Sequence, residues 1–218
     1  MISKRLESLS KYFNSNDKVI DIGCDHALLD IYLIQNNILN SMIVSDIHEG
    51  AIKQGIDNIK LNKLDKKIDA RLGDGLKVLN DKDDVDTLLI SGMGTSTILS
   101  IIENPYFKKI NKLVIQSNND HEILRTELVK KSFNITHEEM IKENGKTYIN
   151  IVFERGRKTY APLELKYGPL LVRNMEYLKY REDYLKNILN KVPRNKLLIR
   201  FKLRKEINEI KKLEKNII

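Results

Sequence analysis

The stretch 19–27, VIDIGCDHA, holds residue types suited to binding chemistry: Asp21 and Asp25 flank a single glycine, Gly23, after an apolar run. A glycine turn between a strand and a helix usually binds a pyrophosphate. Carboxylates there would repel it, by roughly 4 kcal/mol for one like-charge contact of about 4 Å at an effective dielectric constant of 20. Asp25 also replaces the second glycine of G-x-G-x-x-G. The loop therefore favours a cationic ligand.

S-adenosylmethionine (SAM) fits this requirement, because it carries a sulfonium and an ammonium and no phosphate. Asp46, 23 residues after Gly23, can accept hydrogen bonds from ribose hydroxyls. In LGDGL, Asp74 can accept from the adenine amine, and the glycine after it permits close backbone approach. SGMG offers glycines around Met93, a soft apolar surface. Each motif also has an ordinary explanation: a helix cap for Asp46, a plain turn for GDG and close helix–strand packing for GMG.

Short β-type runs alternate with helical patterns through the first 155 residues. Strands are predicted at 18–23, 41–47, 68–74, 85–92 and 111–118, helices at 27–37, 49–64, 95–104 and 120–133, and a hairpin at 134–155 around Asn144-Gly145. This order predicts an α/β fold with a doubly wound, mostly parallel sheet and an antiparallel terminal hairpin. The residues after the first four strands should converge on one crevice: Gly23–Ala27, Asp46–Ile47, Asp74–Gly75 and Gly92–Thr95.

After Gly156 the pattern changes to a linker and then to a 4-3 spacing of apolar residues that begins at Leu171 and is broken at Pro193. We predict two antiparallel, coiled-coil-like helices of about 22 residues each. The predicted domains are therefore 1–156 and 157–218. Residues 156–218 carry a net charge of +10 and residues 1–155 a net charge of −2. The basic segment suggests a polyanionic partner, although a solvated, charged helix pair would have the same composition.

The remaining composition indicates a cytoplasmic protein. Cys24 is the only cysteine, so no internal disulfide can form. The N-terminus lacks the apolar segment of a signal peptide, and no apolar run approaches the roughly 18 residues that span a bilayer. The four histidines lack metal-ligand spacing. We expect no metal, no membrane association and a monomer.

Several motifs resemble the bacterial tRNA (adenine(22)-N1)-methyltransferases: SKRL at 3–6, DIGCDHALL at 21–29, GDGL at 73–76, GMG at 92–94, QSN at 116–118 and ENGKTY at 143–148. The resemblance covers nearly the whole chain. It implies a Rossmann-like class I fold, SAM as cofactor and methylation of N1 of an adenine in the D-arm region of tRNA. It also implies a cofactor site formed by Arg5, Gly23, Asp25, His26, Asp46, Ile47, Asp74, Gly75, Gly92 and Met93.

The chain departs from the family pattern at three positions. Family members commonly have proline at the positions of Asp30 and Ser117, and a second glycine at the position of Thr95. Ser117 and Thr95 adjoin the expected acceptor pocket.

Methylation of a ring nitrogen uses a neutral lone pair, so positioning and desolvation should supply most of the rate. The product ring is cationic, and a carboxylate beside it would stabilise the developing charge. Asp25 is the first candidate, with Asn118 bonding the base edge and His26 as a further candidate. For His26 a structural hydrogen bond at the helix start is the alternative. Asn119-x-x-Glu122 reads as a capping box.

The adenine would have to leave its stack to reach a buried methyl group. Basic residues of the C-terminal domain would then grip the phosphates: Lys166, Arg173, Lys179, Arg181, Arg194, Lys196, Arg200, Lys202 and Arg204. Two other functions fit the same residues. One is a methyltransferase on a small molecule or protein, with the basic helices used for dimerisation. The other is a non-catalytic RNA-binding module.

Overall fold

Seven strands pair into one sheet in the order β3-β2-β1-β4-β5-β7-β6 in the computed structural model, which describes residues 2–217. Strands β1 to β5 are parallel, whereas β7 is antiparallel to both β5 and β6. The strands are β1 Val19–Ile22, β2 Met42–Asp46, β3 Ile68–Leu72, β4 Thr87–Met93, β5 Lys112–Ser117, β6 Phe133–Glu143 and β7 Lys146–Arg155. The predicted α/β class with an antiparallel terminal hairpin is confirmed.

Hydrophobic burial explains the parallel core of the sheet. All four residues of β1 are buried, as are the first four of β4 and the last five of β5. Such continuous apolar strands are typical of sheets covered on both faces. Asn144 and Gly145 have φ values of 49° and 73°, and this left-handed pair closes the predicted hairpin between β6 and β7.

Five helices accompany the sheet: α1 Lys4–Ser10, α2 Leu28–Gln35, α3 Glu49–Leu61, α4 Thr95–Ile101 and α5 His121–Lys130. The apolar spacing of α3 buries Ile52 and Ile59 and leaves Ile56 partly buried. Leu61 is 82% exposed, because it occupies the last turn of the helix, off the apolar face. Helix α1 was not predicted; its first turn is capped by Ser3, whose side chain accepts from the Leu6 amide.

The chain divides into two compact units between Lys158 and Thr159. The second unit contains α6 Pro162–Tyr167, α7 Met175–Lys191 and α8 Leu197–Lys215. Helices α7 and α8 pack against each other as a hairpin. Their buried residues include Leu178, Leu185, Ile207 and Ile210.

Two expectations for this unit were wrong in detail. The linker contains α6, because Pro162 suits the first helical position and Glu164 accepts a hydrogen bond from the Ala161 amide. The helices have 17 and 19 residues rather than about 22. Helix α7 begins after Asn174, whose side chain accepts from the Tyr177 amide, and Leu171 lies in a separate 3-10 turn.

Candidate active site

A cavity of about 570 Å³ lies beyond the carboxyl ends of β1 to β4, where the strand order reverses between β1 and β4. Its volume is within the range of small-molecule sites, roughly 300–1,000 Å³. All ten residues expected at the cofactor site line this cavity: Arg5, Gly23, Asp25, His26, Asp46, Ile47, Asp74, Gly75, Gly92 and Met93. The fold thus gathers residues from the N-terminus and from four strand ends.

The loop after β1 has a left-handed backbone, with φ of 80° at Gly23 and 51° at Asp25. The amides of Gly23 and Cys24 donate to the carbonyl of Ser45 at 2.7 and 3.1 Å, which holds the loop against the end of β2. A Cβ at position 23 would lie 2.2 Å from Met93 Cε. The backbone conformation favours glycine here, and a side chain at this position would also force the end of Met93 to move.

Asp46 orders two loops around the cavity. Its Oδ2 accepts from the Asp25 amide at 3.2 Å, and its Oδ1 accepts from the His48 amide at 2.8 Å. Residue His48 is the N-cap of α3, so Asp46 holds the residue before the helix and does not itself cap it. The carboxylate retains acceptor capacity for a ligand, because each oxygen has two lone pairs.

The electrostatics of the cavity favour a cation. Among its lining residues are four aspartates, Asp21, Asp25, Asp46 and Asp74, and two cationic residues, Arg5 and Lys77. Lys77 Nζ lies 2.5 Å from Asp74 Oδ2 and so neutralises that carboxylate. A negative cavity attracts a positively charged ligand and repels a phosphate.

Arg5 reaches the cavity from α1 and is held in place by a chain of polar side chains. Its Nη1 donates to Ser91 Oγ at 3.0 Å and to Gln116 Oε1 at 2.7 Å. Gln116 in turn donates to Asn150 Oδ1, and Asn150 donates to Ser8 Oγ on α1. This network fixes the guanidinium at the ends of β4 and β5. Ser91 and Gln116 open the SGMG and QSN motifs but were given no role from the sequence, and Asn150 lies in no motif.

A buried carboxyl pair adjoins the cavity. Asp21 on β1 is 5% exposed and Asp30 on α2 is 0% exposed. In the described chain, Asp21 Oδ1 and both side-chain oxygens of Asp30 have no hydrogen-bond donor. Burial, and then the charge of Asp30, raise the pKa of Asp21 well above its usual value. Burial likewise raises the pKa of Asp30 to about 7. The two carboxyls therefore retain a proton near neutral pH, which can bridge them.

Asp25 and His26 stand at the cavity rim. The side chain of Asp25 is 71% exposed, and His26 Nε2 lies 3.5 Å from Asp25 Oδ1. The imidazole can thus orient the carboxylate. Cys24 is buried, and burial together with the nearby carboxylates raises the pKa of its thiol. A neutral thiol is a poor nucleophile, so the buried Cys24 is best described as a packing residue.

Asn118 lies beside the motif after β4 rather than in the cavity lining. Its Nδ2 donates to the Gly92 carbonyl at 2.6 Å, and its backbone amide donates to the Met93 carbonyl. Gly92 has a φ of 84° at a bulge where the register between β4 and β5 shifts. Its carbonyl is therefore turned towards Asn118, whose exposed side chain faces solvent next to the cavity rim.

The expected capping box at Asn119 and Glu122 is wrong. Asp120, with a φ of 50°, immediately precedes α5. The side chain of Asn119 instead accepts from the amide of Thr95 at 3.0 Å, and Thr95 Oγ1 donates to the Asn119 carbonyl at 2.6 Å. Thr95 Oγ1 also lies 2.8 Å from Ser117 Oγ. Two departures from the family pattern, Thr95 and Ser117, thus contact each other and tie the start of α4 to the end of β5.

The nine basic residues expected to grip RNA differ in their contacts within the second unit. Lys166 lies 2.6 Å from Glu209, and Arg181 lies 3.0 Å from Glu206. Arg200 donates to two carbonyl oxygens at the end of α7. The other six are exposed: Arg173, Lys179, Arg194, Lys196, Lys202 and Arg204.

Residues 2–217 hold no group of three or more His, Cys, Asp or Glu side chains arranged to bind a metal ion. None of their helices combines the length and apolar character needed to cross a membrane.

Comparison with known families gives a match over residues 19–217 to the model of the tRNA (adenine(22)-N(1))-methyltransferases. The protein of that name from Bacillus subtilis (strain 168) is 31% identical over 174 residues, which cover 78% of this chain and 73% of the relative.

Solved structures agree. A Streptococcus pneumoniae protein, described as a putative tRNA (m1A22) methyltransferase, is 30% identical with a TM-score of 0.89 over 98% of this chain and 100% of that one. The structure of M. capricolum TrmK in complex with S-adenosyl-homocysteine is 29% identical with a TM-score of 0.84 over the whole of both chains.

Proposed function

This chain belongs to the tRNA (adenine(22)-N(1))-methyltransferase family and is a SAM-dependent tRNA methyltransferase; we propose that the cavity after β1 to β4 binds SAM and that Asp25 acts on the adenine at its rim. The acidic lining of the cavity carries this proposal. It suits a ligand with two positive centres and no phosphate. Family membership gives no support to a small-molecule or protein substrate, or to a non-catalytic module.

The residues present fit SAM. Asp46 has free acceptor capacity for the ribose hydroxyls, and Asp74 can accept from the adenine amine. Arg5, already fixed by Ser91 and Gln116, has further donors for the methionine carboxylate. Gly23 leaves the loop after β1 without a side chain, so that Met93 can approach it; a Cβ there would lie 2.2 Å from Met93 Cε. Bound SAM supplies an electrophilic methyl group on a sulfonium.

The chain's own contribution to methyl transfer is positioning and charge stabilisation. As N1 of the adenine is methylated, the ring becomes cationic, and the exposed carboxylate of Asp25 stabilises that charge. His26 holds the carboxylate in position. Asn118 uses its amide nitrogen on Gly92, which leaves its oxygen to accept from the exocyclic amine of the adenine.

The second unit is proposed to bind the tRNA backbone. Six exposed basic residues there can contact phosphates, whereas Lys166, Arg181 and Arg200 also stabilise the unit itself through their internal contacts. Phosphate contacts fix the register of the RNA and leave recognition of the adenine to the cavity.

Nucleoside mass spectrometry tests the proposal. Unmodified tRNA incubated with SAM and the wild type should yield 1-methyladenosine, and a tRNA with guanosine at position 22 should yield none. Asp25→Asn, which keeps the shape and removes the charge, should lower kcat by about tenfold or more. Asp57→Asn, a change at an exposed aspartate of α3 outside the cavity lining, serves as the control. Full activity of Asp25→Asn would reject the role of Asp25, whereas SAM binding without 1-methyladenosine would reject the proposed reaction.

A further inference from the structure

The first turns of α8 expose four large apolar side chains: Leu197 at 74%, Leu198 at 68%, Ile199 at 48% and Phe201 at 65%. We call these four residues the apical patch. The buried residues of α8, Ile207 and Ile210, lie further along the helix. Contiguous exposed apolar surface of this kind marks a contact site, because it costs free energy when left in water.

The charge around the apical patch restricts what can cover it. Residues 191–205 contain seven lysines and arginines and no aspartate or glutamate. A symmetric contact with a second copy would bring together two segments of the same sign, which is unfavourable. A polyanion would instead have its charge neutralised there and release counterions.

The patch also has a defined shape. A surface depression is lined by Arg194, Leu197, Arg200, Phe201 and Arg204. Leu197 and Phe201 are four residues apart and so lie on one face of α8. The guanidinium of Arg200 donates to the Leu189 carbonyl at 2.9 Å and to the Val192 carbonyl at 2.6 Å. Arg200 thus links the start of α8 to the end of α7. This contact fixes the helical turn that carries the phenyl ring of Phe201.

We propose that the apical patch binds an unpaired nucleotide of the tRNA, with the base stacked on Phe201 and the adjoining phosphates at Arg194, Lys202 and Arg204. An exposed aromatic ring surrounded by cations is the arrangement that binds unstacked bases. Paired RNA does not offer a base face, so the nucleotide belongs to an unpaired part of the tRNA. The proposed contact is with a base other than the adenine that is methylated. The inference rests on the proposed function, since it takes tRNA as the ligand.

Binding of unmodified tRNA to full-length variants at several salt concentrations tests this contact. Phe201→Leu keeps an apolar side chain and loses the ring, so it should raise Kd about fivefold or more without altering the salt dependence. Phe201→Tyr keeps the ring and should bind like the wild type. Lys202→Gln should weaken binding and reduce the slope of log K against log salt by about 1. Tyr184→Leu removes another exposed aromatic ring, on α7, and should leave Kd unchanged.

The activity readouts separate this contact from the reaction. Phe201→Leu should retain SAM affinity and kcat at saturating tRNA, with only KM for tRNA raised. If the wild type forms no 1-methyladenosine but Phe201→Leu still loses tRNA affinity, the proposed methylation is refuted and the proposed contact of the tRNA with Phe201 is supported. If the wild type methylates tRNA and Phe201→Leu binds it unchanged, the contact alone is refuted.

Three other results would also overturn the contact. One is an equal loss of tRNA affinity in Tyr184→Leu. Another is binding to phosphatidylserine vesicles that Phe201→Leu abolishes while tRNA affinity is unaffected. The third is a concentration-dependent dimer that Phe201→Leu dissociates.

Discussion

The buried pair of Asp21 and Asp30 makes a quantitative prediction about pH and stability. The pKa of Asp30 is raised by burial to about 7, whereas an aspartate in an unfolded chain titrates near 3.9. Between these values the folded protein holds a proton that the unfolded chain has released. The free energy of unfolding must therefore fall as the pH rises through this interval, and the loss is complete above the folded pKa.

The size of the effect follows from the same two values. At about 1.4 kcal/mol for each tenfold change in the acid dissociation constant, the difference amounts to at most roughly 4 kcal/mol. Asp30→Asn removes the titrating group and keeps its shape. Its amide can also donate to Asp21 Oδ1, which has no other donor in the described chain. We expect the variant to be about 1–4 kcal/mol more stable than the wild type at pH 8 and nearly equal to it at pH 4.

Urea unfolding of the ligand-free protein, followed by circular dichroism between pH 4 and pH 8, measures this difference. Asp57→Asn is the matched control, because it makes the same chemical change at an exposed site and should show no pH-dependent gain. A difference between Asp30→Asn and the wild type that does not change with pH, or a less stable variant at pH 8, would refute the shared-proton reasoning.

Three further predictions concern the cavity and the basic surface. Gly23→Ala should cost about 1–3 kcal/mol of stability, because position 23 has a φ of 80°, which strains any residue with a Cβ. It should also lower SAM affinity, because Met93 Cε, 2.2 Å from that Cβ, would have to move at the cavity lining. In thermal unfolding Gly50→Ala, with no atom within 4 Å, should be neutral or gain up to about 1 kcal/mol. Asp46→Ala should raise the SAM Kd about tenfold or more by calorimetry, since two amides lose their acceptor; an unchanged Kd would remove Asp46 from the site. Binding of tRNA should weaken steeply as the salt concentration rises, and Arg204→Gln should reduce the slope of log K against log salt by about 1. An affinity that does not change with salt would contradict the proposed phosphate contacts.

Much of the fold is predictable because strands buried on both faces appear in the sequence as runs of consecutive apolar residues. The runs at β1, β4 and β5 are apolar over most of their length, and Asn144-Gly145 marks the hairpin directly. Helix α1 escaped prediction because it has only seven residues. Leu6 and Leu9 are three residues apart and pack inward, and that spacing could have identified it.

The candidate site was predictable where a motif marked it and not where tertiary contacts build it. Glycines and aspartates at strand ends are visible in the sequence, and all ten expected cofactor residues line the cavity. The hydrogen-bond acceptors of the Arg5 side chain come from β4 and β5, and Asn150 of β7 in turn holds Gln116; no local pattern links these residues. Asn119 was misread because its local spacing fits a cap for α5, while its actual partner, Thr95, is 24 residues away.

In our proposal Asp25 gives the loop after β1 two functions. It disfavours ligands that carry phosphate, and it stabilises the positive charge on the methylated adenine. Its amide is held by Asp46, a residue of the cofactor cavity, while its carboxylate is 71% exposed at the rim. The backbone of Asp25 is thereby tied to the cavity, and its carboxylate is left exposed at the rim, where we propose that it meets the adenine. A glycine at this position would retain the left-handed conformation but would lose the charge that opposes phosphate. The acidic residue in a glycine-type turn is therefore best explained as a link between the cofactor cavity and the adenine that is methylated.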